Sequence, residues 1–138
     1  MTKAIQSIAN IAHQFDAIVL DQWGVLHDGS APYETAPACL SDLHSVGTRL
    51  AVLSNSGKRA VPNASRIASM GFAEEIFEIV MTSGEALFLD FQISPKCPRK
   101  ILPIERSEGD ALDWAQGLDI MLSHDIEEAE TILLMGLP

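Results

Sequence analysis

The run Ala17, Ile18, Val19, Leu20 ends in a single carboxylate, Asp21, and a glycine-bearing loop, Gln22, Trp23, Gly24, follows at once. Apolar residues with two β-branched members, bounded by polar ones, predict a short buried strand of a parallel sheet. Such a strand delivers Asp21 to the carboxyl edge of the sheet, where ligands and catalytic groups of open α/β folds collect. Taken alone, the pattern fits equally an ordinary strand end whose Asp satisfies turn backbone groups.

A second element repeats the plan. Leu50, Ala51, Val52 and Leu53 lead into Ser54, Asn55, Ser56 and Gly57, so this strand ends in a hydroxyl. Asp21 and Ser54 stand thirty-three positions apart, and the interval holds a loop, an apolar helix face (Ala36, Leu40, Leu43) and a Gly47 stop. That is the length of a βαβ unit, whose strand ends are neighbours. A carboxylate nucleophile, a hydroxyl donor and backbone N–H groups then converge on one crevice. Phosphoryl transfer needs these parts: an attacking oxygen and donors for the phosphoryl oxygens.

Here the chain resembles a family. Asp21 followed by Gly24-Val25-Leu26, and then Leu53-Ser54-Asn55-Ser56-Gly57-Lys58-Arg59, look like motifs I and II of the haloacid dehalogenase superfamily. The continuation Val25-Leu26-His27-Asp28-Gly29 and the run Ser54-Asn55-Ser56 resemble its subclass IIA, the sugar- and nucleotide-phosphatase-like members. The resemblance implies a Rossmann-like α/β core with a parallel sheet, followed by an α/β cap inserted after the third strand. It implies that Asp21 attacks phosphorus and becomes an aspartyl phosphate. It implies that the Asp21 carboxylate and the Trp23 backbone carbonyl bind Mg²⁺, and that Ser54 and the amides around Asn55 hold the phosphoryl oxygens. The expected substrate is a small phosphorylated metabolite, and the expected activity is that of a phosphoric monoester hydrolase.

The chain departs from the family pattern in two ways. Where the family carries a second Asp as general acid, this sequence has Trp23. An indole N–H donates but cannot shuttle a proton, and general acid catalysis is worth about 10²–10⁴-fold. The expectation is a slow phosphatase, a leaving group that needs no protonation, or a substitute acid. His27 and Asp28 lie nearest, and the residues themselves favour a loop role for each. The second departure is that the downstream Lys and late acidic pair of the superfamily do not occur in their expected context; Asp125, Ile126, Glu127 and Glu128 read as a solvated turn or helix face. The expectation is an incomplete core over residues 1–93, the first part of a cap over 94–138, and a truncated chain that is inactive as it stands. The 17–20 strand would then be a bare edge, prone to dimerise or to recruit the chain's own 131–135 strand.

Nine Lys and Arg against nineteen Asp and Glu give a net charge of −10, which disfavours nucleic acid and anionic membranes. Cys39 and Cys97 have no C-x-x-C spacing, and the amino-terminal residues lack a signal-peptide pattern, so reduced thiols and a cytoplasmic location are expected. His13, His44 and His124 show no metal-ligand spacing.

Further elements are legible. Ile5, Ile8, Ile11 and Ala12 predict an amphipathic lead helix over 3–14. Ala60, Ala64, Ile67 and Ala68 predict a second helix ended by Gly71. A strand at 78–81 precedes Thr82-Ser83-Gly84-Glu85, a capping-box sequence for a helix to about residue 91. Ser94 and Pro95 break it. Strands over 100–104, 118–122 and 131–135 flank a helix over 109–116 that buries Trp114. Lys58 and Arg59 admit two readings: contacts to an anionic substrate or the cap, or solvated residues ahead of a helix.

Two rivals deserve a test. A response-regulator receiver domain also phosphorylates an Asp at a strand end, but would show an acidic pair after the first strand and its acceptor after the third. A catalytically impaired haloacid dehalogenase-like protein that binds a phosphorylated ligand or partner is favoured by Trp23.

Overall fold

The computed structural model describes residues 4–136. These form two compact units, residues 4–54 with 64–80, and residues 55–63 with 81–136.

The first unit begins with α1 (Ala9–Ala12), β1 (Ala17–Leu20), α2 (Ala36–Ser45) and β2 (Arg49–Ser54). It continues through most of α3 (Ala60–Ser69), a 3₁₀ turn at Glu74–Ile76, and most of β3 (Phe77–Thr82). The sheet order is β1-β2-β3, and β1 pairs in parallel with β2, Ala17 opposite Arg49 and Leu20 opposite Val52. Leu40 and Leu43 of α2 are buried with Leu20, Leu26, Leu50, Val52, Ile67, Phe72 and Ile76 in one core. The predicted βαβ unit is therefore present. Gly47 closes it with φ +88°, a conformation that costs glycine nothing.

Two expectations are corrected here. The lead helix shortens to α1. Asn10 Oδ1 accepts from Ser7 N, and Ser7 Oγ accepts from Ala9 N; these side-chain bonds offer the backbone a local alternative to an earlier helical start. Position 3 lies outside the described residues. Second, β1 is less buried than its apolar run suggests: Leu20 is buried but Val19 is 63% exposed. The reason is its place in the sheet, since β1 is an outer strand with β2 as its neighbour among the described residues.

The second unit holds α4 (Ser83–Ile93), β4 (Lys100–Ile104), α5 (Asp110–Ala115), β5 (Met121–Leu122) and β6 (Thr131–Leu134). Its sheet order is β5-β4-β6, parallel on both sides of β4. The 131–135 strand thus adds to β4 and not to β1. Pro103 sits in the middle strand, yet β5 stops opposite Ile101. At Pro103 the strand has β6 on one side, and an edge is where a missing N–H is tolerated. The core is Phe88, Phe91, Ile101 and Trp114. Trp114 meets both phenylalanines edge-on, with centroids 6.3 and 5.6 Å away, and donates its buried indole N–H to the Gly84 carbonyl at 2.7 Å. The expected core role of Trp114 holds. The helix predicted to about residue 91 runs to Ile93, and residues 125–128 form an exposed turn, as expected. No helix among the described residues is long and apolar enough to cross a membrane.

Candidate active site

Asp21 follows the last residue of β1, and Ser54 is the last residue of β2. The parallel register brings both to the carboxyl ends of neighbouring strands. Asp21 is exposed, and its Oδ1 accepts from the Gln22 amide at 2.7 Å. Ser54 is buried, with 8% of its surface exposed.

The loop after β1 is held largely by itself. Gln22 O accepts from Leu26 N at 2.8 Å, Gly24 N donates to His27 O at 2.9 Å, and Tyr33 N donates to Leu26 O at 3.0 Å. Gly24 at φ +80° makes the sharp turn. Trp23 is 61% exposed and its ring lies over Gly29, where an added Cβ would stand 3.1 Å from the indole. Arg66 ties the loop to α3 by donating to the Gly29 carbonyl.

The two residues nearest Trp23 in sequence are occupied in this loop. Asp28 Oδ1 accepts from both Ser30 N and Ala31 N at 2.8 Å. These amide bonds hold its carboxyl below the usual carboxylate range. His27 is 1% exposed, and its Nδ1 accepts from Gly29 N at 3.0 Å. Burial, and then the Arg66 charge, push its imidazole below its ordinary pKa against the opposing pull of Asp28 and Asp21. Near neutral pH it is therefore an uncharged imidazole with the proton on Nε2. Among the described residues, that imidazole Nε2 and the side-chain nitrogen of Gln22 (its own Nε2, not the backbone N that donates to Asp21) are buried without a hydrogen-bond partner.

The loop after β2 is built differently. Asn55 is exposed. Ser56 O accepts from Gly84 N at 3.0 Å, and Lys58 O accepts from the Thr82 hydroxyl at 2.6 Å. Arg59 forms a two-toothed pair with Glu85 at 2.7 and 3.1 Å, and Ala60 N donates to the same carboxylate at 2.9 Å. The Arg59 guanidinium also stacks over the Phe88 ring, 3.2 Å from its centroid. Lys58 pairs with Asp110 at 3.1 Å.

The residue patterns expected the capping box at Thr82, and half of it is present: Thr82 Oγ1 accepts from Glu85 N at 2.9 Å. The Glu85 carboxylate does not complete the box. It reaches Arg59 and Ala60, two elements earlier in sequence. Of the two readings for Lys58 and Arg59, a contact with the 94–138 region expected to be the cap matches the Lys58–Asp110 pair; neither foresaw the pairing of Arg59 with Glu85. The signal was there in part, as a Glu in a first helical turn and a basic pair at the end of a glycine loop, but nothing in the order of residues says that they meet.

Residues 18–104 match the family model of the haloacid dehalogenase-like hydrolases. The chain belongs to this family. Among solved structures, a haloacid dehalogenase-like hydrolase from Brucella suis superposes with a TM-score of 0.83 at 26% identity, over 96% of this chain and 49% of that one. A glycerol phosphate phosphatase from Mycobacterium tuberculosis, in complex with calcium, gives a TM-score of 0.63 at 20% identity, over 91% of this chain and 35% of that one, a likeness of fold. A hypothetical protein from Pyrococcus horikoshii gives 0.54 at 26% identity, over 74% and 38%. The chain thus spans about half or less of the length of these hydrolases and neighbours. A comparison with curated proteins finds no match. The receiver-domain rival falls with the family match.

The family implies a divalent cation. Among the described residues there is no group of three or more His, Cys, Asp or Glu side chains that could hold a metal. The available donors are still of the right type: an exposed carboxylate at Asp21 and the Trp23 carbonyl are hard oxygen ligands, as Mg²⁺ requires.

Proposed function

We propose that this haloacid dehalogenase-like hydrolase is a subclass IIA phosphatase of small phosphorylated metabolites. The observation that carries the reading is the placement of Asp21 and Ser54 at the carboxyl ends of adjacent parallel strands, with Asp21 exposed. Asp21 attacks phosphorus in line. The bond to the ester oxygen breaks, and water then hydrolyses the acyl phosphate on Asp21. The Ser54 hydroxyl and the amides around Asn55 donate to the phosphoryl oxygens, over which the transition-state charge is spread. Asp21 and the Trp23 carbonyl would contribute two ligands to Mg²⁺, which supplies charge neutralisation when bound. On this reading residues 1–93 are the amino-terminal part of the core, and residues 94–138 begin the cap that selects the substrate.

Trp23 supplies no proton to the leaving oxygen. His27 is buried and uncharged, and Asp28 is held ionised by Ser30 and Ala31. Neither replaces the absent acid. The reading therefore favours esters whose leaving group departs as a stabilised anion, or a proton donor outside the described residues. The same observation supports a second reading, a catalytically impaired protein that binds a phosphorylated ligand.

Phosphate release from a panel of monoesters, measured with Mg²⁺ on the protein that carries this chain, separates the two. Turnover that disappears in Asp21→Asn supports the phosphatase. Saturable phosphate binding with no turnover in either form supports the binder.

A further inference from the structure

We propose that Thr82 and Glu85 are positioning residues for phosphoryl binding, acting on the 55–60 loop from the start of α4. This rests on the proposed phosphatase reading and extends it to residues that lie beyond the two recognised motifs.

Four contacts converge on this short loop. Gly84 N, Thr82 Oγ1 and the Glu85 carboxylate engage Ser56 O, Lys58 O, and Ala60 N with Arg59, respectively. Thr82 is fully buried, and its hydroxyl is used twice, donating to Lys58 O and accepting from Glu85 N. The backbones also approach closely. A Cβ on Gly84 would overlap the Gly57 carbonyl oxygen, and one on Gly57 would come within 2.7 Å of the Met135 carbonyl. Inside the loop, Ser56 Oγ accepts from Lys58 N at 3.2 Å, and Asn63 Nδ2 donates to Arg59 O at 2.9 Å.

A loop that binds phosphate through amides works only if those amides point one way before the ligand arrives, because preorganised donors cost no reorganisation during the reaction. Gly57 gives the 55–60 loop wide conformational freedom, and the side-chain bond inside it, from Lys58 N to Ser56 Oγ, is long at 3.2 Å. The α4 contacts supply the fixed direction. Arg59 is consumed in the process: its guanidinium is paired with Glu85 and stacked on Phe88. It is a strut of the loop and not a ligand for the substrate.

The test uses the protein that carries this chain, with Thr82→Val, Thr82→Ser and Glu85→Gln. The readouts are hydrogen exchange of the loop amides, and competitive inhibition by inorganic phosphate with p-nitrophenyl phosphate as substrate. Thr82→Val should speed exchange in residues 56–60 and weaken phosphate inhibition about tenfold, raising KM more than it lowers kcat. Thr82→Ser should restore both. Should Thr82→Val fail to fold, Glu85→Gln carries the test, with a smaller loss in the same direction. Folded variants whose loop loosens while phosphate inhibition stays at the wild-type level overturn the proposal. Wild-type protein that does not turn over p-nitrophenyl phosphate rejects the phosphatase reading itself, and the proposal with it; wild-type turnover that phosphate does not inhibit overturns the proposal alone, and both results appear before any variant is made.

Discussion

The loops that follow β1 and β2 sit at equivalent places in the βαβ unit, yet they are stabilised in opposite ways. The first, residues 21–33, is knitted by bonds of short sequence range: Gln22 with Leu26, Gly24 with His27, Asp28 with Ser30 and Ala31. The second, residues 55–60, leans on partners about twenty-five positions away, Thr82, Gly84 and Glu85. A loop of the first kind carries most of its conformation in its own residues, with Arg66 adding one long-range tie at the Gly29 carbonyl. A loop of the second kind has its shape imposed from outside, and a change in α4 is a change in the loop.

The largest effect expected is at the end of β1. Asp21→Asn removes the proposed nucleophile, and phosphate release should fall by about 10⁴-fold or more; residual turnover near wild type would show that the first loop does not carry the attacking group. Next in size is Trp23→Asp, which restores the carboxylate that the family has at this position. It should raise the rate on alkyl phosphates by about 10²-fold and leave p-nitrophenyl phosphate nearly unchanged, since that leaving group scarcely needs a proton. Equal effects on both substrates would reject the missing-acid argument. A fall on both would show that the indole, lying over Gly29, chiefly packs the loop.

Stability draws the contrast between the loops more sharply. Gly84→Ala puts a methyl group into the Gly57 carbonyl and should destabilise by about 2–4 kcal/mol, as overpacking of backbone against backbone does. Gly24→Ala meets open space and pays a conformational cost alone, at φ +80°, of about 1 kcal/mol. Denaturant unfolding of both variants measures the difference; equal losses would mean that the second loop is no more tightly held than the first.

A smaller effect is expected from acid. The Arg59 pair, and then the Ala60 amide, hold the Glu85 carboxyl below the usual carboxylate range against the opposing effect of burial. A depressed folded pKa means that the unfolded chain binds the proton first as pH falls. The stabilisation is complete above the ordinary Glu pKa, about 4.3, and is lost as pH drops through the lower folded value. Thermal unfolding of Glu85→Gln should therefore depend less on pH below about 5 than that of wild type. The smallest effect belongs to Asp28→Asn. The amide oxygen can still accept from Ser30 and Ala31, so rate and pH–rate profile should barely move; a lost ionisation in the profile would instead make Asp28 the substitute acid.

Much of this was readable from residue order because it depends on residues close together in the chain. An apolar run followed by Asp21, a similar run into Ser54, and an intervening helix face determine a βαβ unit and the placing of both strand ends. Side-chain chemistry alone says that Trp23 cannot transfer a proton. The Thr82 cap and the stop after residue 93 follow from equally local signals. What only the tertiary structure decided is which distant groups meet. The outer position of β1 exposes Val19 in a run that reads as buried. His27, an unremarkable loop residue by composition, is enclosed and left with an unpartnered Nε2 among the described residues. Glu85 abandons the local half of its capping box for Arg59 and Ala60. The physical reason is common to all three. Secondary structure follows from bonds a few residues apart, whereas burial and charge pairing depend on which surfaces the folded chain brings together.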